Sequence, residues 1–191
     1  APIFTGIVAW IAFGRQPSRK WVGGTALAVV GLVILNAPSG GTSVSLLGAL
    51  FAIGAGLSYA FQATGMEMMS KRHTPAQSVA AIWTTAMVLQ APICIGRDFS
   101  FVAQPILLLG ILYGGVFTVA LTFSMFTWGI TRIGSATAVT VGLMEPITAT
   151  ALGITVLGES IAGARVFGIL FMLAGLVVVS RPEKNADLVP M

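Results

Sequence analysis

Residues 145–180 read EPITATALGITVLGESIAGARVFGILFMLAGLVVVS, and residues 1–36 read APIFTGIVAWIAFGRQPSRKWVGGTALAVVGLVILN. Laid on one another without a gap, the two stretches place Pro2 on Pro146, Ile3 on Ile147, Gly14 on Gly158 and Val22 on Val166. The register continues through Gly24 and Gly168, Gly31 and Gly175, Leu32 and Leu176, and Val33 and Val177. Apolar matches between helices arise easily by chance, so the ungapped register of proline and glycine carries more weight. In each stretch the two glycines share one helical face, where small residues let helices approach closely.

The chain around these stretches is overwhelmingly apolar. Of its 191 residues 56% are hydrophobic and only 8% charged, and the mean hydropathy is +0.95. A soluble domain carries about 25% charged residues, so a soluble globular domain is excluded, and a disordered chain more firmly still. The bilayer is the natural solvent. A spanning helix takes about 20 residues, which leaves room for a bundle of about seven helices and for no sizeable soluble domain. A net charge of +4 would point to nucleic acid in a soluble protein. Here the basic residues sit in short clusters between apolar runs, so membrane lipid is the expected partner and nucleic acid is not. The single cysteine, Cys94, cannot form an intrachain disulfide and reads as a small buried hydrophobe.

Seven apolar runs are predicted: Pro2 to Phe13, Trp21 to Leu35, Leu46 to about Met69, Thr74 to about Ile95, Pro105 to about Trp128, Ser135 to Leu157, and Ala164 to Ser180. Thr-Pro-Ala-Gln at 74–77 fits a capping box with proline at the first helical position. One set of alternate loops, with the tail, holds Arg15, Arg19, Lys20, Lys71, Arg72, Arg132, Arg181 and Lys184; the other holds only Arg97 and Arg165. Lys and Arg favour the cytoplasmic side, which places the C-terminus inside a multi-pass protein of the plasma (inner) membrane. Trp21 and Trp128 fall near predicted interfaces, as an aromatic belt would have them.

With the spans in place, the repeat gains an orientation. Its two copies are offset by five spans, an odd number, so one copy is inverted relative to the other. Inverted-topology repeats recur among secondary transporters, with the substrate site near the bilayer midplane. Glu145 falls near the middle of the sixth span, so its partner Ala1 falls at mid-membrane, where a free amino group is costly. Pro2 to Phe13 would also rise only about 18 Å. The chain is therefore expected to be a piece of a longer protein, cut inside a helix.

The stretch RIGSATAVTVGLMEPITATALGITVLGES, followed by AGARVFGILFMLAGLVVV, resembles the end of an EamA-type transporter of the drug/metabolite superfamily. The resemblance rests on Glu145-Pro146, Gly158-Glu159, Gly168 and Gly175. The opening APIFTGIVAWIAFG, then WVGGTALAVVGLVIL, is similar to the end of the first half of such a protein, except that Gly14-Arg15 stands where the family usually has Gly-Glu. The resemblance implies an all-α polytopic bundle, with seven helices from a fold of five plus five in inverted repeat. Residues 1–36 would then be the last two helices of a truncated first repeat, 45–181 a complete second repeat, and 182–191 a polar cytoplasmic tail. It also implies a secondary transporter, exporting small organic metabolites such as amino acids or drugs.

Glu145 is the sharpest candidate for substrate binding, as the sole carboxylate predicted near the centre of a span. Intramembrane acids are expensive and tend to face a cavity or a partner, so Glu145 is suited to a substrate ammonium group or a proton. Pro146 removes a backbone donor and loosens the helix beside it. Pro146 and Gly142, with Gly158, Glu159, Gly168 and Gly175, are the expected hinge and structural positions. Tyr59, Gln62, Trp83 and Tyr113 lie at depths that suit the lining of the same cavity, with Ser58, Thr84, Thr118 and Thr140 as lesser polar neighbours. Glu159 and Arg165 read as a pair or as helix caps in the turn between the last two spans. Glu67 and His73 read as parts of a solvated loop. Ala52 with Gly56, and Gly110 with Gly114, read as small-residue helix contacts within the fold or within a homodimer.

Other functions fit the residues less well. The only histidine, His73, lies in a loop, no HExxH occurs, and no paired aspartates lie in the spans. An intramembrane enzyme, a metal or a cofactor is therefore not expected. A channel or membrane adaptor is the remaining alternative, and no repeated charged ring suggests an ion filter.

Overall fold

In the computed structural model, residues 1–36, 45–158 and 163–181 are described, and all of their regular structure is helical. Helix α1 covers Pro2–Phe13, α2 Arg19–Leu35, α3 Leu46–Met69 and α4 Pro75–Cys94. After a short 3-10 turn at Ser100–Ala103, α5 (Pro105–Tyr113) runs through a π-helical stretch (Gly114–Leu121) into α6 (Thr122–Val141). Helices α7 (Met144–Leu157) and α8 (Gly163–Ser180) complete the chain. Glu159 and the tail at 182–191 lie outside the described residues.

Two helices are long and apolar enough to cross a bilayer by length and composition: Leu46–Met69 and the 37-residue run Pro105–Val141. Large side chains along both, such as Leu47, Phe51, Ile106, Leu109 and Met125, are exposed. A core helix of a soluble protein would bury them; a lipid-facing helix presents them outward. The longer run would rise about 55 Å if straight, well beyond a hydrocarbon core of roughly 30 Å. It turns at Gly134, whose φ of 75° and ψ of 159° break the helix. The loop expected between the fifth and sixth spans is thus a single glycine kink.

The chain divides into two compact units, one formed by Ala1–Ala60 with the chain from Ala136 onward, the other by Phe61–Ser135. In the first unit α2 and α8 pack together along their length around Ala28, Leu35, Met172 and Leu176. Glycine makes the approach possible. A methyl group added at Gly31 would stand 2.5 Å from the Gly168 carbonyl oxygen, and one at Gly175 would stand 2.5 Å from that of Gly24. Gly24 likewise abuts Val179, and Gly168 abuts Leu35. Each contact becomes another when every residue is exchanged for its partner in the sequence register: Gly24 for Gly168, Ala28 for Met172, Gly31 for Gly175, Leu35 for Val179. The pairing is that of a two-fold, self-complementary interface within one chain. The ends of α1 and α7 match as well, since Gly14 and Gly158 both cap in the left-handed region at φ 68°.

The second unit packs the end of α3 against α6 through buried Ala63, Met66 and Ile130. The Thr127 hydroxyl lies 3.4 Å from the Met66 sulfur. Helix α4 starts as its sequence predicts, with Thr74 and Gln77 forming a reciprocal capping box. One expectation is corrected here. Cys94 is exposed at the end of α4, where a thiol faces lipid or the interface instead of a packed core. A methyl group added at Gly110 or Gly114 would meet nothing within 4 Å, so the small-residue contact expected there is not made among the described residues. Of the two tryptophans, Trp128 is exposed with the Arg132 guanidinium 3.4 Å from its ring centre, which suits an interfacial belt. Trp21 packs its ring on Gly6, as a side chain filling a helix contact does.

Candidate functional site

Glu145 sits in the first turn of α7, because the sixth span is two helices and not one. The preceding helix stops at Val141, and the chain turns through Gly142 and Leu143. Leu143 N–H donates to the Thr140 carbonyl and Glu145 N–H to that of Gly142, both at 3.0 Å and both spanning three residues in place of four. Pro146 explains the position of the break. A proline ring clashes with the carbonyl four residues back, here that of Gly142, but it is tolerated in a first helical turn, where an N–H has no intrahelical partner. No side chain caps the start of α7, and Glu145 is exposed there. An acid in the first turn suits the positive end of the helix dipole.

Of the other cavity candidates, Tyr59 interacts electrostatically with this carboxylate. It is half-buried on α3, in the same unit as Glu145. Gln62, also half-buried, lies one turn further along α3. Trp83 and Tyr113 join separate aromatic pairs in the second unit. Trp83 meets Phe123 edge-on at 5.2 Å between ring centres, and its indole Nε1 is buried without a partner. Tyr113 is 64% exposed and stacks on Phe117 at 5.1 Å. Ser58, Thr84 and Thr118 are exposed. Thr140 is buried, donates to the Ala136 carbonyl, and has its hydroxyl 3.3 Å from that of Thr25. A groove of about 520 Å³ in the first unit is lined by Ile3, Ile7, Trp10, Trp21 and Thr25 and holds none of the candidate residues. Among the described residues no cluster of three metal-ligating side chains occurs.

One polar group was misplaced by its sequence. Glu67, expected in a solvated loop, is buried on the inner face of α3 and accepts a 2.7 Å hydrogen bond from the Ser135 backbone N–H. The signal was its spacing from Ala60, Ala63 and Thr64, a small-residue face that continues to Glu67. The Thr25–Thr140 contact had no comparable signal, because threonines in apolar helices commonly bond their own backbone.

Exposed apolar helices, a glycine-seamed antiparallel pair and a carboxylate at the break between two apolar helices are the features of a polytopic helical membrane protein. The family of EamA-like transporters matches residues 46–181. The chain belongs to that family, a multi-pass membrane family of transporters and not of enzymes. It is 31% identical over 190 residues to the uncharacterized transporter YwfM of Bacillus subtilis, covering 98% of this chain and 64% of that protein. It is 32% identical over 175 residues to the threonine/homoserine exporter RhtA of Salmonella typhimurium, covering 90% of this chain and 58% of RhtA. A probable amino-acid metabolite efflux pump of the same species is 22% identical over 188 residues, covering 92% of this chain and 62% of that protein. The chain thus spans less than two thirds of the length of these relatives. No solved structure matches it.

Proposed function

We propose that this chain forms part of a secondary exporter of small amino-acid-like metabolites, working by alternating access in the plasma membrane with its C-terminus in the cytoplasm. The observation that carries the reading is the exposed Glu145 carboxylate at a broken helix, with the Tyr59 side chain in electrostatic reach. In this reading Glu145 binds the substrate ammonium group and Tyr59 flanks it. Gln62, Trp83 and Tyr113 are further candidates for substrate contact, Trp83 with a buried indole N–H to give. Discontinuous helices at mid-membrane are where secondary transporters bind their substrates. The exchange symmetry between α2 and α8, and the matched caps at Gly14 and Gly158, support an inverted repeat of five helices plus five. The printed names of RhtA and the efflux pump support the substrate class.

Glu145→Gln in the full-length protein, reconstituted in proteoliposomes, tests this reading. A hydrogen bond to a charged group contributes about 1.5–3 kcal/mol, so the apparent KM for an amino acid should rise roughly ten- to hundredfold. Tyr59→Phe should have a smaller effect, about two- to tenfold. A wild-type KM in correctly inserted Glu145→Gln would overturn the assignment.

A further inference from the structure

The kink at Gly134 is a built joint. Its φ and ψ fall in a region essentially closed to residues with a side chain. A methyl group there would lie 3.8 Å from either Glu67 oxygen, an ordinary contact. The backbone conformation, not crowding, is what requires glycine. The next residue, Ser135, donates its backbone N–H to Glu67 Oε2 at 2.7 Å. Glu67 is only 8% exposed, between buried Ala63, Thr64 and Met66 on one helix and buried Ser135 on the other. A buried carboxylate is costly unless it is hydrogen-bonded, and a charged acceptor for a backbone N–H at a helix start is among the stronger bonds available. The hydroxyls of Ser135 and Thr64 are buried there without partners. Native structures leave few such groups, and those they leave tend to mark strain or function. The joint therefore holds a spare donor in Ser135 Oγ beside the backbone donor that Glu67 engages.

We propose that Glu67 is a positioning residue for transport. Its carboxylate fixes the backbone at Gly134–Ser135, and so sets how the broken helix that continues to Glu145 begins, without itself touching substrate. The inference rests on the transporter reading above. Alternating access needs an element with two discrete arrangements. A glycine kink held by a charge-assisted bond, with a second donor on the same residue, supplies one: Ser135 Oγ can take up the carboxylate when the backbone N–H lets go.

The test uses the full-length protein in a Cys94→Ser background with Met144→Cys, an exposed position at the start of α7, as reporter. A membrane-impermeant maleimide added from either side reads its accessibility, with no substrate needed. Glu67→Ala should change the ratio of inside to outside labelling at least about fivefold, the scale of coupling between sites. It should also lower the maximal transport rate about tenfold while KM stays within about twofold, as for a residue that never contacts substrate. Glu67→Gln, whose amide oxygen still accepts from Ser135, should recover most of both. Ser135→Ala, which keeps the backbone donor and removes the second one, should lower the maximal rate about two- to fivefold, less than Glu67→Ala does, with KM unchanged.

Wild-type labelling and transport in Glu67→Ala would overturn the proposal. So would Glu67→Gln or Ser135→Ala as impaired as Glu67→Ala. Should Glu67→Ala not insert, Gly134→Ala attacks the same joint from the other side. It must shift the labelling likewise, and an unshifted pattern overturns the proposal. A labelling shift in a protein whose wild type transports nothing would leave the joint standing and sink the transporter reading. Wild-type transport with no shift would sink the joint alone.

Discussion

Three polar residues carry the proposed function, and their legibility differed for physical reasons. Glu145 stands out because an acid inside a 20-residue apolar run has no solvent to escape to. Tyr59 could be placed by depth, since α3 has no break to disturb the count. Glu67 lies close enough to the basic loop after α3 that water seemed its natural partner. Only the fold shows that its face of the helix is turned inward and meets Ser135. The hydroxyls of Thr25 and Thr140 form another polar contact between distant helices. Thr140 also donates to the Ala136 carbonyl, so losing the partner strands nothing. Thr25→Val should therefore cost less than about 1 kcal/mol, in line with interhelical bonds in membranes. Thermal unfolding in detergent would show this as a shift of at most a few degrees. A collapse of the fold would mean the pair is structural in a way the bond does not explain.

At the scale of elements, the glycine register that opens and closes the chain proved to be the seam between α2 and α8. The residue types predicted a close approach; that the two helices approach each other was not contained in either stretch alone. Added methyl groups at Gly31 and Gly175 would each meet backbone at 2.5 Å. Backbone cannot yield as a flexible side chain does, so Gly31→Ala and Gly175→Ala should each destabilise by about 1–3 kcal/mol, the usual cost of overpacking. Their costs should match, because the exchange of partners turns one site into the other. Gly23→Ala and Gly110→Ala meet open space. They should be neutral or stabilising by up to about 1 kcal/mol through helix propensity. Equal losses at all four positions, measured by denaturation in one detergent, would contradict the seam. The helix break is a second case. Pro146 announced a loosened helix, but the stop at Val141 follows from the ring acting four residues back on Gly142. A Pro scan reports the proline and not the turn before it.

For the whole molecule, composition alone settled the solvent, and the exposed apolar faces of α3, α5 and α6 agree with it. Orientation rests on the loop charges. A reporter fused at the C-terminus should be active only as a cytoplasmic fusion, and a periplasmic signal would reverse the topology. The proposed function is that of a carrier working by alternating access. A carrier of that kind exchanges substrate faster than it delivers it in one direction, because the loaded return bypasses an empty one. The direct measurement is counterflow of a radiolabelled amino acid such as threonine in proteoliposomes of the full-length protein. Unlabelled amino acid inside the vesicles should accelerate uptake of the label, and Glu145→Gln should abolish the acceleration. Uptake indifferent to the contents of the vesicle would contradict the account.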